Sequence, residues 1–220
     1  MSEGTRARRD SAVATGRGDD GTTGLLFGGG RISKADDRTD AYGTIDETVA
    51  ALGLARAELN LKAQYGALPP TLAGVADLIL RFQRELFVVG AELATNPDAW
   101  DRLEDGRTRV SKEMLDGVDA TLAELEAGIT MPHEFVVPGE TRTSAALELA
   151  RTTLRRAERR AVALSREGLI PGPYLLPYVN RLADLLWVLA RAAEAGESRA
   201  ATPAQTRRRG RRAVAPEDER

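Results

Sequence analysis

Leu147, Ala150, Leu154, Ala157, Ala161 and Leu164 are spaced alternately by three and four residues. That rhythm puts all six on one stripe of an α-helix, and a stripe so regular is buried only against other helices or a sheet. The rest of the chain offers helices. Tyr42, Ile45, Val49, Leu52 and Leu59 keep roughly one face. Leu72, Val75, Ile79, Phe82, Leu86, Val89 and Leu93 follow Pro69-Pro70 and stop near Asn96-Pro97. Met114, Val118, Leu122 and Leu125 end at Gly128, and a last helix runs from about Tyr174 or Tyr178 to Ala193. Thr130–Glu140, broken by Pro132, Pro138 and Gly139, links the third helix to the fourth. With no strong alternating pattern for strands, the spacing predicts an all-α, five-helix bundle.

In front of the bundle lies Thr15–Gly30, TGRGDDGTTGLLFGGG, too rich in glycine for a regular helix. The expected organisation is a disordered tail over 1–12, a bundle domain over 13–195 with this irregular loop at its start, and a disordered arginine-rich tail over 196–220. The arginines of that last segment, Arg207, Arg208, Arg209, Arg211 and Arg212, read as a solvated terminus and not as a nucleic-acid grip.

Composition removes several chemistries. The chain has 220 residues, no cysteine and a formal net charge of −2. Thiol catalysis, cysteine-held metal and disulfides are excluded, and no global field favours nucleic acid. No apolar run is long enough to span a bilayer, and Met1–Asp10 lacks the apolar core of a secretory signal, so a cytoplasmic protein with no membrane partner is expected. His133 is the only histidine and has no carboxylates spaced around it for a metal site, so no protein-held metal is expected.

Gly16, Gly18 and Gly21 match G-x-G-x-x-G in form, but no βαβ unit surrounds them, and no Gly-Lys-Ser/Thr completes a Walker loop. What remains is a segment of unpaired amides and hydroxyls, from Thr15, Thr22 and Thr23, with Lys34 and Arg38 just beyond. Such a loop suits polyphosphate, because convergent N–H groups and cations bind anions. It reads equally as an unengaged surface loop. Lysine occurs only at 34, 62 and 112 in a chain that otherwise uses arginine, which draws attention to Lys34. On the fourth helix Arg151, Arg155 and Glu158 share a face beside the apolar stripe, and Arg156, Arg159 and Arg160 crowd the same helix. Such a face awaits anions or is an arginine-rich exposed surface. Asn180, Asp184, Trp187 and Arg191 form a stripe on the fifth helix that is either a polar rim or a ligand wall. Asp46 flanks the apolar stripe of the first helix, where a carboxylate calls for a cationic partner.

Three segments together resemble the PduO-type ATP:corrinoid adenosyltransferases. They are Thr15–Leu25 continuing through Gly30–Lys34, Arg38 and Ala41–Glu47; Phe135–Gly139 followed by Ala150–Arg159; and Tyr178–Arg191. The resemblance implies a homotrimeric five-helix bundle with sites between subunits, using ATP, Mg²⁺ and cobalamin. It implies transfer of the 5′-deoxyadenosyl group of ATP to cob(I)alamin, giving adenosylcobalamin and triphosphate, with a separate reductase and an adenosylcobalamin-dependent enzyme as partners. ATP is expected on Thr15, Gly16, Gly18, Asp19, Gly21, Thr22, Thr23, Lys34 and Arg38, and on Arg155 or Arg156, with Glu158 and Asn180 in or beside the site. Asp46 matches an aspartate that pairs with the arginine at Arg151 across the subunit interface. Phe135 matches an aromatic residue that displaces the lower axial ligand of the corrinoid.

Three departures from the family pattern cluster on the corrinoid side. Thr48-Val49-Ala50 replaces the usual Leu-Asn-Ser, Glu140 replaces a second glycine after Gly139, and Glu148 replaces a histidine. Those at Thr48–Ala50 and Glu140 motivate one rival reading, an escort protein of the same fold that binds nucleotide or corrinoid but has lost catalysis; a second rival is a structural helical-bundle oligomer with a disordered loop.

Overall fold

The computed structural model describes residues 14–204. The segment 1–12 and the arginines beyond residue 204 lie outside the described residues. Among the described residues five α-helices make up the body: α1 (Asp37–Gln64), α2 (Val75–Leu93), α3 (Lys112–Gly128), α4 (Arg142–Arg166) and α5 (Leu175–Gly196). Short 3₁₀ turns at Pro70–Leu72 and Pro97–Arg102 join them. Three of them, α1, α3 and α4, start where side chains satisfy free N–H groups. Asp36 accepts from the Arg38 amide, Ser111 from Met114, and Thr141 and Ser144 form a reciprocal capping box.

The predicted stripe of α4 is the centre of the bundle, with every member buried. Its alanines let α1 approach closely, and α1 also packs on α2, while α5 packs on α4 and α3. The face of α1 differs from the expected one. Tyr42 and Val49 are only half-buried, whereas Ala41, Thr44, Thr48 and Ala55 are buried. Thr44 and Thr48 tolerate this because their hydroxyls donate to the carbonyls of Asp40 and Thr44, at 2.7 and 2.9 Å.

Two small antiparallel pairings complete the fold. β1 (Thr22–Thr23) pairs with β2 (Ile32–Ser33), and β3 (Val136–Val137) pairs with β4 (Thr202–Pro203). β4 lies beyond residue 195, where the sequence reading ends the bundle domain. The chain continues past α5, and Thr202–Pro203 supplies partners for the extended backbone of the α3–α4 linker, whose exposed edge needs them.

Candidate functional site

The glycine-rich loop folds on itself. Lys34 Nζ donates to the Gly18 carbonyl at 2.8 Å, and the Lys34 amide donates to Gly21 O at 2.9 Å. A Cβ on Gly18 would stand 2.8 Å from Lys34 Nζ and 3.1 Å from Thr22 O, so a side chain there would push the ammonium aside and crowd the Thr22 carbonyl. Gly21 has φ of 79°, which favours glycine for a second reason. Arg31 laces the loop: its Nε donates to Thr22 Oγ1 at 2.7 Å and its Nη2 to the carbonyls of Arg17 and Thr22. Asp20 takes the Thr22 amide and hydroxyl, and these bonds hold its carboxyl below the usual range. Thr15, Gly16, Gly18, Asp19, Gly21, Thr22, Thr23 and Lys34 are therefore gathered in one compact loop. Farther along, Leu26 exchanges backbone hydrogen bonds with Ala94 and Asn96, and the Arg102 guanidinium lies 4.3 Å from the Phe27 ring centre. Arg38 is buried in the first turn of α1.

The α4 arginines divide by face. Arg156 pairs with Glu47, and Arg160 pairs with Asp40 at 2.7 Å and also reaches the Thr44 hydroxyl. These contacts bind α4 to the N-terminal half of α1. Arg155 lies 3.9 Å from Glu158 Oε2, and Glu158 Oε1 accepts from Asn180 at 2.9 Å. Arg151 and Arg155 share a cavity of about 400 Å³ with Glu126, Arg181, Asp184 and Trp187.

Arg151 and Trp187 also line a second cavity, of about 620 Å³, walled by Pro132, His133, Phe135 and Glu148. Phe135 is 90% exposed there, the most exposed large apolar side chain among the described residues. Its carbonyl accepts from the Ala204 amide at 2.7 Å, Thr202 reaches Glu140 through its hydroxyl, and Ala204 lines the same cavity. Beneath lies a buried charge cluster. Arg151 Nε donates to Glu148 Oε2 at 2.7 Å, and Arg191 Nη2 stands 3.3 Å from Glu148 Oε1 and 2.9 Å from Glu194 Oε1. Burial pushes the Glu194 carboxyl up, against the pull of Arg191.

Asp46 is exposed, pairs with no charged side chain among the described residues, and has its carboxyl pushed up by partial desolvation. One chain does not bring Asp46 to Arg151, whose in-chain partner is Glu148.

A family model described as cobalamin adenosyltransferase matches residues 13–193. The chain belongs to the cobalamin adenosyltransferase family. A corrinoid adenosyltransferase of Citrobacter freundii is 36% identical over 182 residues, covering 83% of this chain and 94% of that protein. The corrinoid adenosyltransferase of Mycobacterium tuberculosis is 36% identical over 187 residues, covering 82% and 88%. Among solved structures, a variant PduO-type ATP:corrinoid adenosyltransferase from Lactobacillus reuteri, complexed with cobalamin and ATP, is similar with a TM-score of 0.73 at 26% identity, covering 87% of this chain and 98% of that one.

In this member of the cobalamin adenosyltransferase family, the sequence reading left three residues off its candidate list. Arg31 stood inside a quoted segment, but nothing in its spacing shows that it laces the loop. Arg191 sat on the fifth-helix stripe, where Glu194 follows it by three residues, but its second acid, Glu148, comes from another helix and pattern alone does not pair the two. Glu148 offered a legible signal: it precedes Arg151 by three residues, the spacing of helical neighbours. The stripe itself is a wall in part. Trp187 faces both cavities, whereas Asn180 and Asp184 are exposed and Arg191 is buried.

Proposed function

We propose that this chain transfers the 5′-deoxyadenosyl group of ATP to cob(I)alamin, forming adenosylcobalamin and triphosphate. The observation that carries this reading is Phe135: a bare aromatic ring lining a cavity that Arg151 also lines, with Arg151 shared by a second cavity that holds Arg155. An apolar wall beside a cationic one suits a reaction between a flat macrocycle and a polyphosphate.

In the proposed reaction Co(I) supplies an electron pair to C5′ of ATP, the C5′–O bond breaks, and triphosphate leaves with that pair. The protein then needs no nucleophile of its own. Its work is alignment of the two substrates and stabilisation of the leaving charge. The loop Thr15–Thr23 offers amides and hydroxyls to the phosphates, and Lys34, Arg155 or Arg156 offer cations, with Arg38, Glu158 and Asn180 beside them. Arg156 must first part from Glu47 to take that role, whereas Lys34 need only give up a carbonyl. Phe135 occupies the space under the corrin and keeps water and the axial base away, easing reduction of Co(II). Among the described residues no set of three His, Cys, Asp or Glu side chains converges as a metal cage. Mg²⁺ enters this reading only as MgATP, held by the phosphates.

The working unit is proposed to be a cytoplasmic homotrimer in which Asp46 meets Arg151 of a neighbouring copy. A separate reductase supplies the electron, and an adenosylcobalamin-dependent enzyme takes the product. No described helix is long and apolar enough to cross a membrane.

The test is anaerobic incubation of the protein with MgATP and cobalamin under a strong reductant. Appearance of the adenosylcobalamin spectrum with an equal amount of triphosphate supports the reading. Tight binding of both ligands without product favours the escort reading, and binding of neither leaves the chain a structural oligomer.

A further inference from the structure

We propose that Glu148 is a positioning residue that sets the Arg151 guanidinium at the junction of the two cavities; this rests on the adenosyltransferase reading, in which Arg151 belongs to the site. Three observations converge. Glu148 is only 3% exposed yet lines the Phe135 cavity, so its carboxylate is at once buried and beside the proposed substrate space. It holds Arg151 through Nε alone, at 2.7 Å, and no described residue takes the Nη nitrogens of Arg151. Arg151 lines both cavities, so those two nitrogens are the part of the guanidinium left for a ligand or a neighbouring subunit.

Glu148 is itself prevented from moving. Arg191, 4% exposed, stands 3.3 Å from its other oxygen and is anchored by Glu194 at 2.9 Å. The Trp187 ring, which faces both cavities, lies 5.7 Å from the Arg191 guanidinium. Arg191 Nε and Nη1 are still buried without a partner, as is Glu194 Oε2, so the cluster is incompletely paired and Glu148 supplies one of the few contacts that Arg191 makes. Loss of the Glu148 carboxylate would leave Arg191 seeking other acceptors and Arg151 free to change rotamer. An arginine tethered by Nε presents its remaining fork in one plane, which is the geometry that bidentate recognition of a carboxylate or phosphate requires. A histidine at this position, the residue that the family usually carries, cannot offer two anionic oxygens to two guanidinium groups. Glu148 thus makes the orientation of Arg151 a property of the single chain.

The experiment is a double-mutant cycle on the full chain with Glu148→Gln and Arg151→Lys, reading kcat and KM separately for ATP and for cob(I)alamin, alongside helicity and oligomer mass. Glutamine keeps the size and an acceptor but loses the charge. The expected result is a fall of about tenfold in kcat/KM for ATP, the scale of one charge-assisted hydrogen bond, with helicity and mass unchanged. Added to Arg151→Lys, which already lacks the Nε tether, Glu148→Gln should cost little more, because both act through the same guanidinium. Losses that simply multiply, or wild-type kinetics in Glu148→Gln, would overturn the inference. Should Glu148→Gln fail to fold, Glu148→His serves in the same cycle with the same outcomes. If the wild-type protein forms no adenosylcobalamin, it is the adenosyltransferase reading that fails, and the cycle is then read on ATP affinity alone: coupled losses support the positioning role and additive ones reject it.

Discussion

Tyr178, fully buried in α5, donates its hydroxyl to Glu85 Oε2 of α2 at 2.7 Å. Burial pushes both groups up, the tyrosine well above 10, so the hydroxyl stays protonated and is a dependable donor. Arg81 takes the other carboxylate oxygen at 3.3 Å. Tyr178→Phe removes one partner and leaves the acid under-bonded at a helix contact. A loss of about 1–3 kcal/mol is expected in urea unfolding, with kcat/KM per folded molecule unchanged. An unshifted midpoint would mean that water replaces the hydroxyl at no cost.

Glu92 gives stability a pH signature. It is buried, accepts the Val110 amide at 2.7 Å and the Gly172 amide at 3.0 Å, and joins the approaches to α3 and α5. Burial outweighs both hydrogen bonds and raises its native pKa above the ordinary 4.5. The native state therefore holds its proton more tightly than the unfolded chain does. The associated stability is complete below the unfolded pKa and is lost as pH rises through the native one. Relative to Glu92→Gln, which does not titrate there, wild type should lose stability across that window with a slope of at most about 1.4 kcal/mol per pH unit. Parallel stability curves for the two proteins would show that Glu92 does not titrate in this way.

Lys34 and Gly18 should behave as one unit. Lys34→Ala removes the ammonium proposed for an ATP phosphate. Gly18→Ala drives a methyl into the space that the ammonium occupies. Both should weaken MgATP binding by about tenfold or more in calorimetry, with helicity unchanged. Full affinity in either variant would take that residue out of the ATP site.

Phe135→Ala should leave ATP affinity near wild type and impair turnover. The readout is the visible spectrum of bound cob(II)alamin, which should keep a four-coordinate signature in wild type and revert to five-coordinate in the variant. Identical five-coordinate spectra would contradict the proposed role.

Asp46→Ala and Arg151→Ala should each weaken the trimer or impair ATP use, and their combined effect should be smaller than the sum. A charge swap is a poor test in this chain, because Arg151→Asp sets a carboxylate against Glu148, now 2.7 Å from the guanidinium. Stable, active trimers from the single variants would remove the intersubunit pair.

The bundle was legible because α4 repeats one apolar step pattern without interruption. The α1 face was less so: Thr44 and Thr48 take core positions that an apolarity count assigns elsewhere, and their hydroxyls disappear into the carbonyls of their own helix. The loop announced itself through glycine, since several of its residues, Gly16 and Gly21 among them, adopt positive φ. The pairing of Thr202–Pro203 with Val136–Val137 left no trace in sequence, because main-chain hydrogen bonds carry it and side chains of no particular pattern accompany it. The Arg191 pairing was half hidden: Glu194 lies three residues on in the same helix, but Glu148 comes from α4, a relation in space that no window along the chain contains.

The bond from Ala204 to Phe135 has a practical consequence. Ala204 lines the same cavity as Phe135, and Thr202–Pro203 pairs with the linker strand that follows the ring. Truncation before Thr202 would remove part of the cavity wall and the strand partner together, and a Phe135 ring set adrift in this way could be mistaken for a lost catalytic group.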